Sequence, residues 1–282
     1  MPPSRLRRFL ALLGWTRHST YLFAAFLLAC GSIIYFWWPL AQQVLATVDW
    51  HGPWWRAMDW LLVGVFTVMT LLIMAHADLK TDVLIVLVAA VGGLVIEAWG
   101  TQTNLWFYYT AERPPLWIVP AWPIATLSID RLVRFLNWGV EKTGNKIDPA
   151  RSLTPFLFKI LYWLTFAGFY ALMLVFVAPT LEKPMTAGAL LLCAGLILTP
   201  TNYRTMVLTF IAGAGLGYYL ELWGTTRQCW TYYTYQTPPL FAVVAHGMAA
   251  VTFWRTGLLV KLVWGRLSGR LISRDKGIAP EI

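Results

Sequence analysis

A chain of 282 residues with 58% hydrophobic and only 12% charged residues, at a mean hydropathy of +0.59, carries more apolar side chain than one soluble core can bury. That balance excludes an ordinary soluble domain and points to an all-α integral membrane protein. The net charge of +9 does not point to nucleic acid, because no basic stripe is interleaved with aromatics.

In chain order, residues 1–19 read as a cytoplasmic N-terminal segment bearing Arg5, Arg7, Arg8 and Arg17. Eight apolar runs follow, each near the ~20 residues that a bilayer core requires. They lie at roughly 20–41, 58–76, 82–99, 116–137, 156–179, 186–201, 205–223 and 239–262. Leu27-Leu28-Ala29-Cys30 resembles a lipoprotein signal, yet the apolar run continues through Ile33, Ile34, Phe36, Trp37 and Trp38, which favours an uncleaved span. Cys30, Cys193 and Cys229 are too far apart to pair as metal ligands in sequence.

The hydrophilic stretch from Asp130 to Ser152, with Gly144-Asn145 and Pro149, divides the chain into halves. The expected architecture is a first four-span repeat over 20–137, a cytoplasmic linker over 138–155, a second four-span repeat over 156–262 and a cytoplasmic tail over 263–282. An even number of spans per half orients both halves alike, so the repeats should be parallel, related by an axis along the membrane normal. Lysine and arginine follow the same scheme. Eighteen fall on the side of the termini and central loop, against four, Arg56, Arg113, Lys183 and Arg227, on the other. That asymmetry predicts an inner-membrane protein with both termini cytoplasmic.

One segment occurs twice at an offset of 124 residues. Glu97-Ala98-Trp99-Gly100-Thr101, Trp106, Tyr108-Tyr109-Thr110 and Pro114-Pro115-Leu116 return as Glu221-Leu222-Trp223-Gly224-Thr225, Trp230, Tyr232-Tyr233-Thr234 and Pro238-Pro239-Leu240. Eleven of the twenty aligned positions are identical, a demand beyond lipid solubility. The alignment extends upstream, where Gly92, Gly93, Gly213, Gly215 and Gly217 are expected to mark close helix contacts.

Glu97 lies roughly 22 Å along a helix from Asp82, in the outer part of the hydrocarbon core, and Glu221 should share its depth. An acid there must face the bundle interior and find partners. It could be a general acid toward an apolar substrate, or a structural carboxylate accepting hydrogen bonds from its Trp, Tyr and Thr neighbours. Trp99, Trp106, Tyr108, Tyr109, Trp223, Trp230, Tyr232 and Tyr233 fit an interfacial belt or the lining of a groove for a flat polyene, where ring faces would steady a passing cation. Trp122 aligns with His246, so only the second half has a histidine in the span after its signature. It could bond a carbonyl or, facing Glu221, shuttle a proton. His76, Asp78, Lys80 and Asp82 read as an interfacial turn with paired charges. A phosphate loop, a histidine-box metal site and a nucleophile elbow are missing from the sequence.

Glu97-x-x-Gly100, Trp106-x-Tyr108 and the return from Pro114-Pro115-Leu116 through Val119-Pro120-Ala121-Trp122 resemble the membrane carotenoid hydratase and lycopene cyclase group. The resemblance covers about 35 residues of each half. It implies a small multi-span bundle performing cofactor-free, metal-free, acid-initiated addition of water or ring closure at an isoprenoid double bond. The cyclase branch carries adjacent glutamates where this chain reads Ile124 to Asp130 without such a pair, so hydration or binding is expected over cyclisation. The expected protein binds a long lipophilic, isoprenoid or carotenoid molecule, with Glu97, Glu221 and His246 as acid–base groups and the signature aromatics and Trp122 around the substrate. The rival expectation is a lipid or lipophile transporter, or an assembly subunit of a membrane complex.

Overall fold

The computed structural model describes residues 5–144 and 154–275; the stretch 145–153 at the centre of the expected linker and the last residues of the tail, 276–282, lie outside the described residues. The described residues are all-α apart from two three-residue strands. The helices are α1 (Arg5–Leu12), α2 (Arg17–Leu45), α3 (Trp60–Met74), α4 (Leu79–Gln102), α5 (Ala121–Gly144), α6 (Thr154–Val177), α7 (Pro184–Leu198), α8 (Tyr203–Thr226) and α9 (Leu240–Asp275), with β1 (Trp106–Tyr108) and β2 (Trp230–Tyr232). Among the described residues six helices are long and apolar enough to cross a membrane, namely α2, α4, α5, α6, α8 and α9, α5 together with the 3-10 turn before it. The expected second and sixth spans are α3 and α7, apolar but only 15 residues each. At about 22 Å they fall short of a hydrocarbon core of about 30 Å.

Helices α5 and α9 run on to Gly144 and Asp275, past the expected ends of their spans at 137 and 262, because no proline or capping signal intervenes and polar residues extend a helix as readily as apolar ones. Starts are set by caps. Thr16 and Ser19 form a reciprocal capping box for α2, Asp59 caps α3, Asp78 caps α4 and Asn202 caps α8. The turn between α3 and α4 is tied to the N-terminus through Ser19 Oγ–H to the Met74 carbonyl (2.9 Å) and His76 N–H to the Leu13 carbonyl (3.2 Å).

Helix α8 is the axis of the bundle. Met206, Val207, Phe210, Leu216 and Trp223 are buried along it, and it packs on α9, α5, α6 and α3. Around this centre the outer surface stays apolar: Leu28, Val91, Leu164, Val175, Leu191 and Leu259 are all exposed, a continuous coat that water would not tolerate. The packing is lopsided. Helix α3 closes against α5 and α8, whereas α7, its counterpart at the 124-residue offset, packs chiefly on α6 and meets α4 only sparsely, through contacts such as Trp99 Nε1–H to Thr186 Oγ1.

Several close approaches depend on missing side chains. A Cβ at Gly93 would overlap the Trp122 ring, and one at Gly217 would stand 2.5 Å from His246 Cβ. A Cβ at Gly213 would stand 2.8 Å from Gly247 Cα. The expectation for Gly215 is corrected. It faces open space, since successive helical positions point about 100° apart and the contact stripe holds only Gly213 and Gly217.

Candidate functional site

Helices α4 and α8 end identically. Asn104, at φ 63°, lets the chain reverse so that the Leu105 N–H reaches the Gly100 carbonyl (2.9 Å) and the Asn104 N–H reaches Thr101 (3.3 Å). Gln228, at φ 56°, does the same for Cys229 N–H to Gly224 (2.9 Å) and Gln228 N–H to Thr225 (3.2 Å). This is the Schellman arrangement, built on an amide side chain at the left-handed position instead of glycine. Each reversal launches a strand back across the helix end, where β1 and β2 pair antiparallel. Phe107 faces Thr231, its counterpart at the 124-residue offset, and Trp106 and Tyr108 face Tyr232 and Trp230. Around the ladder, Trp106 meets Tyr232 at 5.9 Å and 54°, and Tyr108 meets Trp230 at 6.0 Å and 56°.

The paired strands hang their side chains over the two glutamates, which are 3% and 4% exposed. Glu97 Oε2 accepts from Trp106 Nε1–H (3.0 Å) and Tyr108 O–H (2.9 Å), and Oε1 accepts from Trp122 Nε1–H (3.0 Å). Glu221 Oε2 accepts from Trp230 Nε1–H (2.9 Å), while Oε1 accepts from Tyr232 O–H and faces His246 Nε2, each at 2.9 Å. A carboxylate offers about four acceptor positions, so each has three met by side chains and one left. Gly100 and Gly224 are what admits the indoles: a Cβ at either would overlap the ring of Trp106 or Trp230. The repeated Glu-x-x-Gly…Trp-x-Tyr spacing is therefore the recipe for one carboxylate cradle, made twice.

Trp122 and His246 complete the cradles from α5 and α9 and stack on each other, with centroids 5.7 Å apart and planes 21° apart. They also distinguish the halves. Trp122 can only donate, whereas the Nε2 of His246 donates or accepts according to tautomer.

Glu97, Glu221, Trp99, Trp106, Tyr108, Trp122, Trp223, Trp230, Tyr232 and His246 line one cavity of about 920 Å³. It runs down the bundle between Leu84, Val88 and Gly92 of α4, Gly188 and Leu192 of α7, and Ala249 and Phe253 of α9. Val91 and Leu192 on its wall are exposed, so it opens sideways where α7 stands off. Its walls are aliphatic and aromatic, and its ionisable groups gather at one end.

Tyr109 and Tyr233 are outside that lining. Their hydroxyls donate to the Phe36 and Phe176 carbonyls, the latter at 2.7 Å, and so bind α2 and α6 to the signature loops. Burial holds both hydroxyls above the usual tyrosine range, so both stay protonated donors. Trp99 and Trp223 touch the cavity while their Nε1–H groups point elsewhere, to Thr186 Oγ1 (3.2 Å) and Asp59 Oδ2 (2.8 Å). Arg227 Nε–H donates to the same Asp59 oxygen at 2.9 Å.

Sequence reasoning missed three features. The α7 wall carries no pattern beyond apolarity. Gly92, read only as a helix contact, is the gap that receives the Phe253 ring. At the far end of α4, Arg131 Nη2 pairs with the buried Asp82 Oδ2 at 2.7 Å, where charge counting sees only a loop. The available signal was the mismatch at the 124-residue offset, since Arg131 has an arginine counterpart in Arg255 but Asp82 aligns with Met206.

Comparison with protein-family models, curated proteins and solved structures finds no match to this chain.

Proposed function

We propose that the protein is an integral membrane binder of a long lipophilic molecule, of the isoprenoid class, taken sideways from the bilayer into the cavity beneath Glu97 and Glu221. The observation that carries this reading is the laterally open apolar cavity with its two carboxylates and its imidazole gathered at one end, the usual build of a lipophile site. The membrane arrangement that fits it has eight crossings in two parallel four-helix repeats. What supports it is that α4 and α8 both end at the same small sheet, which fits helices running in the same direction with an odd number of crossings among α5, α6 and α7. In this arrangement the short α7 crosses, and by the 124-residue correspondence of bounds so does α3. Lysine and arginine put the signature end on the extracytoplasmic side of the inner membrane, with both termini cytoplasmic.

The chemistry available is acid-initiated hydration. His246 Nε2 and Glu221 Oε1, 2.9 Å apart, can share a proton. Passing it to one carbon of a C=C bond leaves a cation on the other, steadied by the faces of the neighbouring indoles. Water adds its oxygen to that carbon and returns a proton to the pair, so one π bond is exchanged for a C–H and a C–O bond. Glu97 is the structural counterpart, since Trp122 offers it no exchangeable partner. A second reading, a lipophile carrier or assembly subunit, is favoured by the three side-chain partners that hold each carboxylate in place.

The test is incubation of purified protein with an acyclic carotenoid polyene, read by quenching of tryptophan fluorescence and by mass spectrometry of the extracted lipid. Quenching together with gain of one water, lost in Glu221→Gln, supports the enzyme. Quenching without product leaves the carrier, and no quenching refutes the lipophile site.

A further inference from the structure

At the opposite end of the bundle from the glutamates lies a smaller cavity of about 210 Å³ between α4, α5, α8 and α9. It shares Leu84, Val88 and Phe253 with the main cavity, so the two are neighbouring chambers. Its character is different. Thr81, Thr126, Thr209, Asp130, Arg134 and Lys261 reach its wall, and it is too small for a whole lipophile.

Two observations mark it as a site. Thr209 is 4% exposed, and its hydroxyl has no hydrogen-bond partner among the described residues. A buried hydroxyl left so costs free energy unless something outside the chain meets it. Charge is the second. Asp82 is paired with Arg131, and Asp130 with Arg131 and Arg134, at 2.6–2.9 Å. Three cations, Arg131, Arg134 and Lys261, thus stand against two carboxylates. Lys261 has no ion-pair partner among the described residues, and the Arg134 guanidinium spends one N–H on Asp130 and keeps others. The chamber therefore offers an unused hydroxyl, an unpaired ammonium and spare guanidinium donors, with one positive charge in excess.

We propose that this chamber holds the anionic phosphate or diphosphate headgroup of the same lipophile whose chain fills the main cavity. The inference rests on the lipophile reading above and names the ligand class more closely. Thr81 and Glu97 stand about 24 Å apart along the α4 axis, so one ligand serving both chambers carries its anionic group at one end of a long apolar chain, as a polyprenyl phosphate does.

The experiment measures binding of geranylgeranyl diphosphate, geranylgeraniol and inorganic diphosphate to the full chain in neutral detergent, with the variants Lys261→Ala and Lys261→Ala/Thr209→Val alongside. The diphosphate ester should bind on the order of tenfold more tightly than the alcohol, the scale of one charge-assisted contact. That ratio should fall toward one in the double variant, while alcohol binding stays as in the parent chain. Equal binding of ester and alcohol by the parent chain overturns the headgroup assignment and leaves the lipophile reading standing. A ratio unchanged in the double variant also overturns it, as does inorganic diphosphate alone binding as tightly as the ester, which would make this a free-anion site. Binding of neither isoprenoid overturns both readings together.

Discussion

Replacing each glutamate by glutamine is the sharpest probe of the two cradles, because the amide must place one acceptor and one donor among fixed neighbours. At position 97 the carbonyl can serve Trp106 and Tyr108, but the NH₂ then confronts the Trp122 N–H, and turning the amide over only moves the conflict. At position 221 the carbonyl can accept from Trp230 while the NH₂ donates to the Tyr232 oxygen and to His246 Nε2 in its Nδ1–H tautomer, and only the Tyr232 O–H, which can rotate, loses its acceptor. Both substitutions remove a carboxylate of similar burial. What separates them is a fixed Trp122 N–H held against a donor at position 97, about 1–3 kcal/mol, where position 221 has a hydroxyl free to turn. Glu97→Gln should thus be less stable than Glu221→Gln by roughly 10- to 100-fold in the folding equilibrium. The assay is SDS-titrated unfolding in mixed micelles followed by far-ultraviolet circular dichroism. Trp122→His added to Glu97→Gln should recover most of the loss, since it recreates the second cradle. Equal stability of the two glutamine variants, or a greater loss at 221, would refute the donor accounting.

Gly100→Ala and Gly224→Ala should each cost about 1–3 kcal/mol by driving the Trp106 or Trp230 ring off its glutamate, whereas Gly215→Ala, facing open space, should be neutral or stabilising by up to about 1 kcal/mol; the same unfolding titration reads all three. Arg131→Leu alone should cost about 3–5 kcal/mol by stranding Asp82, and Arg131→Leu/Asp82→Met, which copies Met206 of the second half, should recover most of it. Reporter fusions after Arg151 and after Ile282 should both register the cytoplasm, and an extracytoplasmic signal at either contradicts the eight-crossing arrangement.

The cradles were legible in the sequence because every part of them is a repeated residue. Glu, Gly, Trp and Tyr recur at fixed spacing, and Trp122 against His246 stood out as the position where the copies differ. The cavity was not legible, because it is made by an absence of contact: α3 and α7 share composition and length, and only packing reveals that one closes on the core while the other leans outward. Tyr109 and Tyr233 were indistinguishable in sequence from Tyr108 and Tyr232, yet alternation along a strand sends neighbours to opposite faces, one to the glutamate and the next to a distant carbonyl. Asp82 and Arg131 read as surface charges because a helix end buried under neighbouring helices looks, in one dimension, like a loop.

The central claim, that the cavity beneath the glutamates is a lipophile site, is tested most directly by mass spectrometry of lipid co-purifying in mild detergent with the parent chain and with Gly188→Trp. Gly188 lines the cavity, and a Cβ there would meet nothing within 4 Å, so an indole has room to start toward the cavity and take up its space. The account predicts an isoprenoid retained by the parent chain and absent from the equally folded variant. The same lipid in both, or only bulk phospholipid in the parent chain, would contradict it.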